Sequence, residues 1–424
     1  MYNAKVFDIY SCLMSKKWLQ NIEKGIVYLL LFLLPTQLAL HFWPSWAFVF
    51  GIRVDYLAPA IYLTDVLALI LIFANIRVYR KYLKYLLAIF VFAVINTVFS
   101  TSPLVSTFKW LKIIETVCLG LYFANTKEEL QKIIRVLFYS AVFFSFIGIF
   151  QFALGRSVGG LLYFLGERSF SSQTPGIALI NIFDRVFLRA YSTFPHPNSL
   201  AGYLGVMLIL FLDLRKKNPL NTFGIFVVLT GFLLSFSLTA FLALFLVLVT
   251  KYLARNKDLF RKLTFALFYS SIIVSILLPV FSKKLLSLNA GFGQRVIQRL
   301  DFAYLSGSMI SERFWSGEGL NTFIVNIPRF KGILTYSWIL QPVHNVPLLI
   351  LSEIGIFGLL ILFIVFYKSI NTVLNKERVS LILALIFVVT TSTQDHYWFT
   401  LQQNLLLVSI LLGLSFRIKK WKTR

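Results

Sequence analysis

Residues 221–249 read NTFGIFVVLTGFLLSFSLTAFLALFLVLV, an uncharged run longer than one bilayer crossing requires, since a membrane helix takes about 20 apolar residues. One straight helix would overshoot the hydrocarbon. Two short segments, Asn221 to Leu234 and Leu238 to Val249, fit if a turn at Ser235, Phe236 and Ser237 joins them and is buried in protein. A single tilted helix would instead invert the side of every later segment.

The same ruler, applied outward, gives about twelve spans. Before the pair lie Gly25 to Phe42, Leu57 to Asn75, Tyr85 to Ser100, Phe108 to Ala124, Val136 to Leu154 and Ser199 to Leu212. After it come Leu263 to Phe281, Asn345 to Phe366, Val379 to Thr393 and Phe399 to Phe416. With 58% hydrophobic and 14% charged residues and a mean hydropathy of +0.79, the chain lies outside the range of soluble domains. The expected fold is an all-α polytopic membrane protein, a single integral domain over 1–424. Two long extracytoplasmic loops, 155–198 and 282–344, interrupt it.

A net charge of +24 would suggest nucleic acid in a soluble protein, but here the basic residues fall between apolar runs, so no nucleic-acid partner is expected. With the amino terminus inside, the inner segments hold about two-thirds of the 41 Lys and Arg. Both termini are therefore expected in the cytoplasm. The single-helix alternative would put Arg417, Lys419, Lys420, Lys422 and Arg424 outside. Cys12 and Cys118 suggest neither a disulfide framework nor a thiol metal site. No cleavable signal peptide is expected, and the first span stays as an anchor. Trp43, Trp46, Trp110, Trp398 and Trp421 near span ends read as interface anchors.

Titratable groups gather on the outer side, where a polar substrate would be handled. In Arg189-Ala-Tyr-Ser-Thr-Phe-Pro-His196-Pro-Asn198-Ser, Pro197 keeps its predecessor out of helix, and Asn198 or Ser199 can cap the next span. His196 then stands at a helix entrance suited to anions, or is only an interfacial residue of a capping turn. The second outer loop carries Arg295 and Arg299, whose planar forks match phosphate. It also carries Gly317 and Gly319, which permit close backbone approach but make a weak motif. Lys283, Lys284, Arg313, Arg329 and Lys331 read better as solvated or headgroup contacts.

His344-Asn345 is followed by Gly355 and Gly358, which helical phase would place on one face. Glu353 points to the opposite side and needs a partner, most simply a hydrogen bond to another helix. Asp395-His396 forms an outer turn that can tune a base, bind a cation or cap a helix. No Asp-x-Asp, His-x3-His or cysteine pair supports a metal, so a metal-independent site is expected.

In this order and spacing the motifs resemble those of the bacterial O-antigen ligase/polymerase family, membrane glycosyltransferases that use polyprenyl-diphosphate-linked glycans. The resemblance runs from about Arg189 to Trp398, with an acid entering the second span at Asp65. His196-Pro-Asn198, Arg299-Leu, Gly317-Glu-Gly319-Leu-Asn321 and His344-Asn345-x9-Gly355-x-x-Gly358 carry it. It implies a glycosyltransferase-C-like arrangement and an inverting transfer outside the inner membrane, from undecaprenyl diphosphate to an acceptor hydroxyl on a lipid or glycan, without cofactor. Arg189 and Arg299 would clamp the diphosphate and His344 would accept the hydroxyl proton, with His196, Asn198, Asn345, Asp395, His396, Gly317 and Gly319 in support. One departure is Leu238, where the family often has arginine. Ligase and polymerase remain open, the signature at His344 leaning towards ligase. A flippase is the rival from another class.

Overall fold

The computed structural model describes residues 18–212, 219–254, 256–287, 293–334, 339–376 and 378–417. Expectations resting on Cys12, Lys419, Lys420, Trp421, Lys422 and Arg424 lie outside the described residues. Helix α1 covers 18–32. Strands β1 (Ala39–His41), β2 (Phe48–Val49), β3 (Ile52–Arg53) and β4 (Ala60–Tyr62) follow. Then come α2 (Leu63–Ala74), α3 (Ile76–Tyr79), α4 (Leu83–Val98), α5 (Pro103–Asn125) and α6 (Leu130–Leu154). Strands β5 (Leu179–Ile182) and β6 (Arg185–Leu188) lead to α7 (Pro197–Phe211), α8 (Pro219–Leu234), α9 (Leu238–Leu253), α10 (Lys257–Ser287) and α11 (Gln294–Glu312). The chain closes with α12 (Phe323–Asn326), α13 (Val346–Asn375), α14 (Val379–Ser392), α15 (Tyr397–Thr400) and α16 (Gln402–Phe416).

The molecule is mostly helical. Ile76–Val98, Leu130–Leu154, Lys257–Ser282 and Val346–Asn375 are long and apolar enough to cross a membrane, and six further apolar helices are shorter. Helices α7, α14 and α16 are buried almost all round, as helices at the centre of an apolar bundle should be. By contrast α4 and α8 expose Phe90, Val91, Phe223 and Phe226, surfaces suited to lipid. The paired short helices α8 and α9 meet at Ser235–Ser237, where Phe236 takes a left-handed φ of 48°. Ser235 and Ser237 are buried, as the reading of 221–249 requires.

Several expectations need correction. The first helix ends at 32 rather than Phe42, because Pro35 cannot continue the ladder and β1 pairs antiparallel with β4, Ala39 opposite Tyr62. That ladder also delays α2 to Leu63 from the expected Leu57. The long segment 155–198 holds the β5–β6 hairpin, turned at Phe183 and Asp184 with φ of 49° and 61°. Likewise 282–344 holds α11, so Arg295 and Arg299 lie on a helix rather than a loop. The fold remains compatible with a polytopic helical membrane protein, with three two-stranded ribbons added among the described residues. Trp110 and Trp398 are buried, their Nε1 groups donating to Asn96 Oδ1 and Thr391 Oγ1; they are core side chains and not interface anchors.

Helix α13 is broken at Gly355 (φ 74°, ψ −170°). The turn ahead of α12 fills the break, with Ile356 N donating to Phe314 O (3.0 Å), Glu318 N to Ser352 O (2.9 Å) and Gly319 N to Glu353 O (2.9 Å). The expected common face of His344, Gly355 and Gly358 does not exist. His344 precedes the helix, and the break resets its phase. Glu353 finds its partners in that turn and, as expected, on another helix, accepting from Asn321 N at 2.8 Å and from Phe323 N, at the start of α12, at 3.1 Å.

A second apolar cluster, separate from the main bundle core, joins the 47–58 hairpin region to α11, α12 and the start of α13 through Val54, Leu57, Phe302, Phe323 and Leu348. This cap and the N-terminal ends of α7 and α13 frame the site.

Candidate active site

The chain leaves β6 at Leu188, and Arg189 turns inward. Its Nε donates to Ser235 O (2.7 Å) and its Nη2 to Asn198 Oδ1 (2.8 Å). Asn198 Nδ2 donates in turn to Asp395 Oδ2 (2.8 Å), and His396 N donates to Asp395 Oδ1 (2.8 Å). One polar chain thus ties the α8–α9 turn, the start of α7 and the α14–α15 turn together. His196 is the N-cap of α7: its Nδ1 accepts from Asn198 N at 3.1 Å. An accepting Nδ1 leaves the proton on Nε2 of a neutral ring.

At α13 the capping is different. Asn345 is the N-cap, its Oδ1 accepting from Leu348 N (3.0 Å) while its Nδ2 donates to Ser275 Oγ (3.0 Å) and Thr393 O (2.9 Å). It therefore pins α13 to α10 and to the turn that carries Asp395. His344, one residue earlier, is left against His396 with ring centroids 5.1 Å apart. Its Nδ1 is buried and has no hydrogen-bond partner among the described residues. His396 Nδ1, in contrast, is 2.7 Å from Thr400 Oγ1.

Of these side chains, His196, His344, Asp395 and His396 line a cavity of about 340 Å³ and form its floor. Its walls include Tyr56, Arg168, Tyr191, Gln341 and Tyr397. Burial holds His196 down to about 4 and His396 to about 3, and lowers His344; Asp395 opposes each shift, and Arg299 adds to each. The imidazoles are therefore neutral at pH 7. Burial works against the charge of Asp395, but His344, His396 and His196 facing it and the Asn198 hydrogen bond hold it down, at about 2. Burial lowers Arg189 to about 10, with Tyr191 and Asp395 opposing and Arg295 adding; it keeps its charge at neutral pH.

His344, Asp395 and His396 each offer a ligand atom within 4.8 Å of the others, a set that local sequence spacing did not suggest. Both Asp395 oxygens and His396 Nδ1 already carry protein hydrogen bonds. No cofactor cradle was expected from the sequence, and the cavity groups are those of acid–base chemistry.

The structure thus brings together His196, Asn198, His344, Asp395, His396 and Arg189, with Asn345 behind them and Arg299 within electrostatic reach. It places Gly317 and Gly319 elsewhere, in the turn that fills the α13 break, at φ of 66° and 107°. A Cβ on Gly317 would strike the Glu353 backbone, and one on Gly319 would strike Ser100. Arg313 and Arg329, read as solvated, both pair with the buried Glu318, at 3.4 Å and 3.2 Å. Leu238 opens α9 and is exposed. Sequence reading missed Arg168, Tyr56 and Gln341. Only the position of Arg168 in a long outer segment offered a signal.

Residues 223–363 match the family model described as O-antigen ligase. The match supports an O-antigen ligase/polymerase family assignment. It contains Arg299 and His344, whereas Arg189, His196, Asn198, Asp395 and His396 lie outside it and join the site through the fold. No curated protein matches the chain significantly. The apolar helices and the O-antigen ligase match together point to a multi-pass membrane protein, and members of the matched family are glycosyltransferase-like enzymes.

Proposed function

We propose that this protein transfers a glycan from undecaprenyl diphosphate to an acceptor hydroxyl at the extracytoplasmic face of the bacterial inner membrane, with inversion and without a metal or cofactor. The carrying observation is His344: of the three imidazoles lining one cavity, it alone has an Nδ1 that no group among the described residues engages. In the proposed step an imidazole nitrogen of His344 takes the acceptor O–H proton as that oxygen bonds to the anomeric carbon. The bond from that carbon to phosphate breaks, its electron pair leaving with the diphosphate. Asp395 then faces an imidazolium that it stabilises. Arg189, engaged by Ser235 and Asn198, orients Asp395, while Arg299 adds positive charge for the departing anion.

The reading includes about twelve crossings with both termini cytoplasmic. The acceptor, a lipid or glycan, separates ligase from polymerase, and the signature at His344 favours ligase. A flippase reading is less well supported, because the polar groups sit at helix ends instead of the midplane. Full-length protein reconstituted with a defined undecaprenyl-diphosphate glycan should release one undecaprenyl diphosphate per glycan joined to acceptor. Glycan ladders without added acceptor would make it a polymerase. Lipid movement across the bilayer with no diphosphate released would overturn the reaction.

A further inference from the structure

Among the described residues lining the cavity, only one is a lysine or arginine, and it is neither Arg189 nor Arg299 but Arg168. Arg189 has its Nε and Nη2 engaged by Ser235 and Asn198. Arg168 is held differently. Its Nη2 donates to Pro195 O at 2.7 Å, and its guanidinium carbon lies 5.9 Å from the Phe170 ring centre and 5.8 Å from that of Tyr191. No other hydrogen bond of this guanidinium occurs among the described residues. Asp55, the acidic group that acts on it, lies 3.7 Å from Arg53. The planar fork is therefore anchored at one corner, flanked by aromatic rings and otherwise open to the cavity.

Its backbone is fixed by its neighbour. Glu167 is buried and takes hydrogen bonds from Gln151 Nε2 (2.8 Å), Val158 N (2.7 Å) and Gly159 N (2.7 Å). Pro195, the acceptor for Arg168, precedes His196, so the guanidinium is referenced to the same turn that places the cavity floor. Such preorganisation is what a group needs if it is to meet charge that develops elsewhere.

We propose that Arg168 binds the donor's diphosphate in the cavity that it lines together with His344 and Asp395. The proposal rests on the reaction above. Arginine suits this place because its parallel N–H groups match two phosphate oxygens and it stays charged throughout turnover. The aromatic flanks hold the plane of the fork while leaving its edge open to an arriving anion.

The test uses reconstituted full-length protein with Arg168→Ala, Arg168→Lys and, as a control for surface charge, Arg185→Ala on the exposed hairpin. Binding of undecaprenyl diphosphate is measured without turnover, and KM is measured separately for donor and acceptor. Arg168→Ala should weaken diphosphate binding and raise donor KM by about 10- to 100-fold, the range for a charged hydrogen bond. Acceptor KM should be unchanged. Arg168→Lys should recover part of the loss, and Arg185→Ala should behave as wild type. Wild-type diphosphate affinity in Arg168→Ala, or a loss confined to acceptor KM, overturns the assignment. Failure of the reaction itself shows instead as wild-type protein that binds undecaprenyl diphosphate yet transfers no glycan.

Discussion

Two turns in this molecule begin alike and end differently. Pro195-His196-Pro197-Asn198 opens α7 and His344-Asn345-Val346-Pro347 opens α13, each placing a histidine at a helix entrance with proline in the first turn. In the first, the histidine is itself the cap and spends Nδ1 on Asn198 N. In the second, Asn345 does the capping, and Nδ1 of the histidine before it is left unengaged. A one-residue shift of the cap thus separates a histidine whose Nδ1 the backbone uses from one whose Nδ1 is left without a partner.

The largest break in that comparison would come from exchanging the two losses. His344→Ala should reduce transfer by about 10²- to 10⁴-fold, the span of general acid–base catalysis, at normal expression. His196→Asn should do far less, since asparagine caps as well as any residue, and the folded state should stay within about 1 kcal/mol of wild type. Initial rates and thermal midpoints of both variants decide it. An inactive His196→Asn with a wild-type midpoint, beside an active His344→Ala, would reverse the roles of the two turns.

The pH profile sharpens the same point. Burial lowers the pKa of His344, with Arg299 adding and Asp395 opposing. A base with a lowered pKa is already unprotonated at neutral pH and is lost only as pH falls through that lowered value. The acid limb of kcat/KM should therefore lie below the ordinary histidine value of about 6.5. An acid limb above that value would mean Asp395 outweighs burial, and that His344 is cationic near neutrality.

Much of this was legible in the chain, for reasons that can be stated residue by residue. The apolar runs set the helices because hydrocarbon permits little else, and the turn at Ser235–Ser237 followed from length alone. The floor of the site was legible because proline and asparagine mark helix starts locally. What escaped was non-local or atypical. Phe183-Asp184 makes a hairpin turn without the Asn-Gly or Asp-Gly signal, and the β1–β4 ladder pairs residues on either side of another hairpin. Gly355 looked like a packing glycine within a helix, but its left-handed φ marks the break. Arg168 carries no motif, and its place depends on Pro195 and the buried Glu167.

The smallest expected effect is that of metal removal. A divalent ion shared by His344, Asp395 and His396 would give another reason for His344 Nδ1 to lack a protein partner, and would turn the comparison of the two turns into one between a cap and a ligand. Against it, both Asp395 oxygens accept protein N–H groups, so an ion would have to compete with those bonds or share their acceptors. We therefore expect EDTA-treated, metal-depleted protein to transfer at the untreated rate, with elemental analysis finding well under one divalent ion per chain. Activity lost on depletion and restored only by an added divalent ion would make His344 a ligand, and the proton acceptor would then have to be sought elsewhere in the cavity.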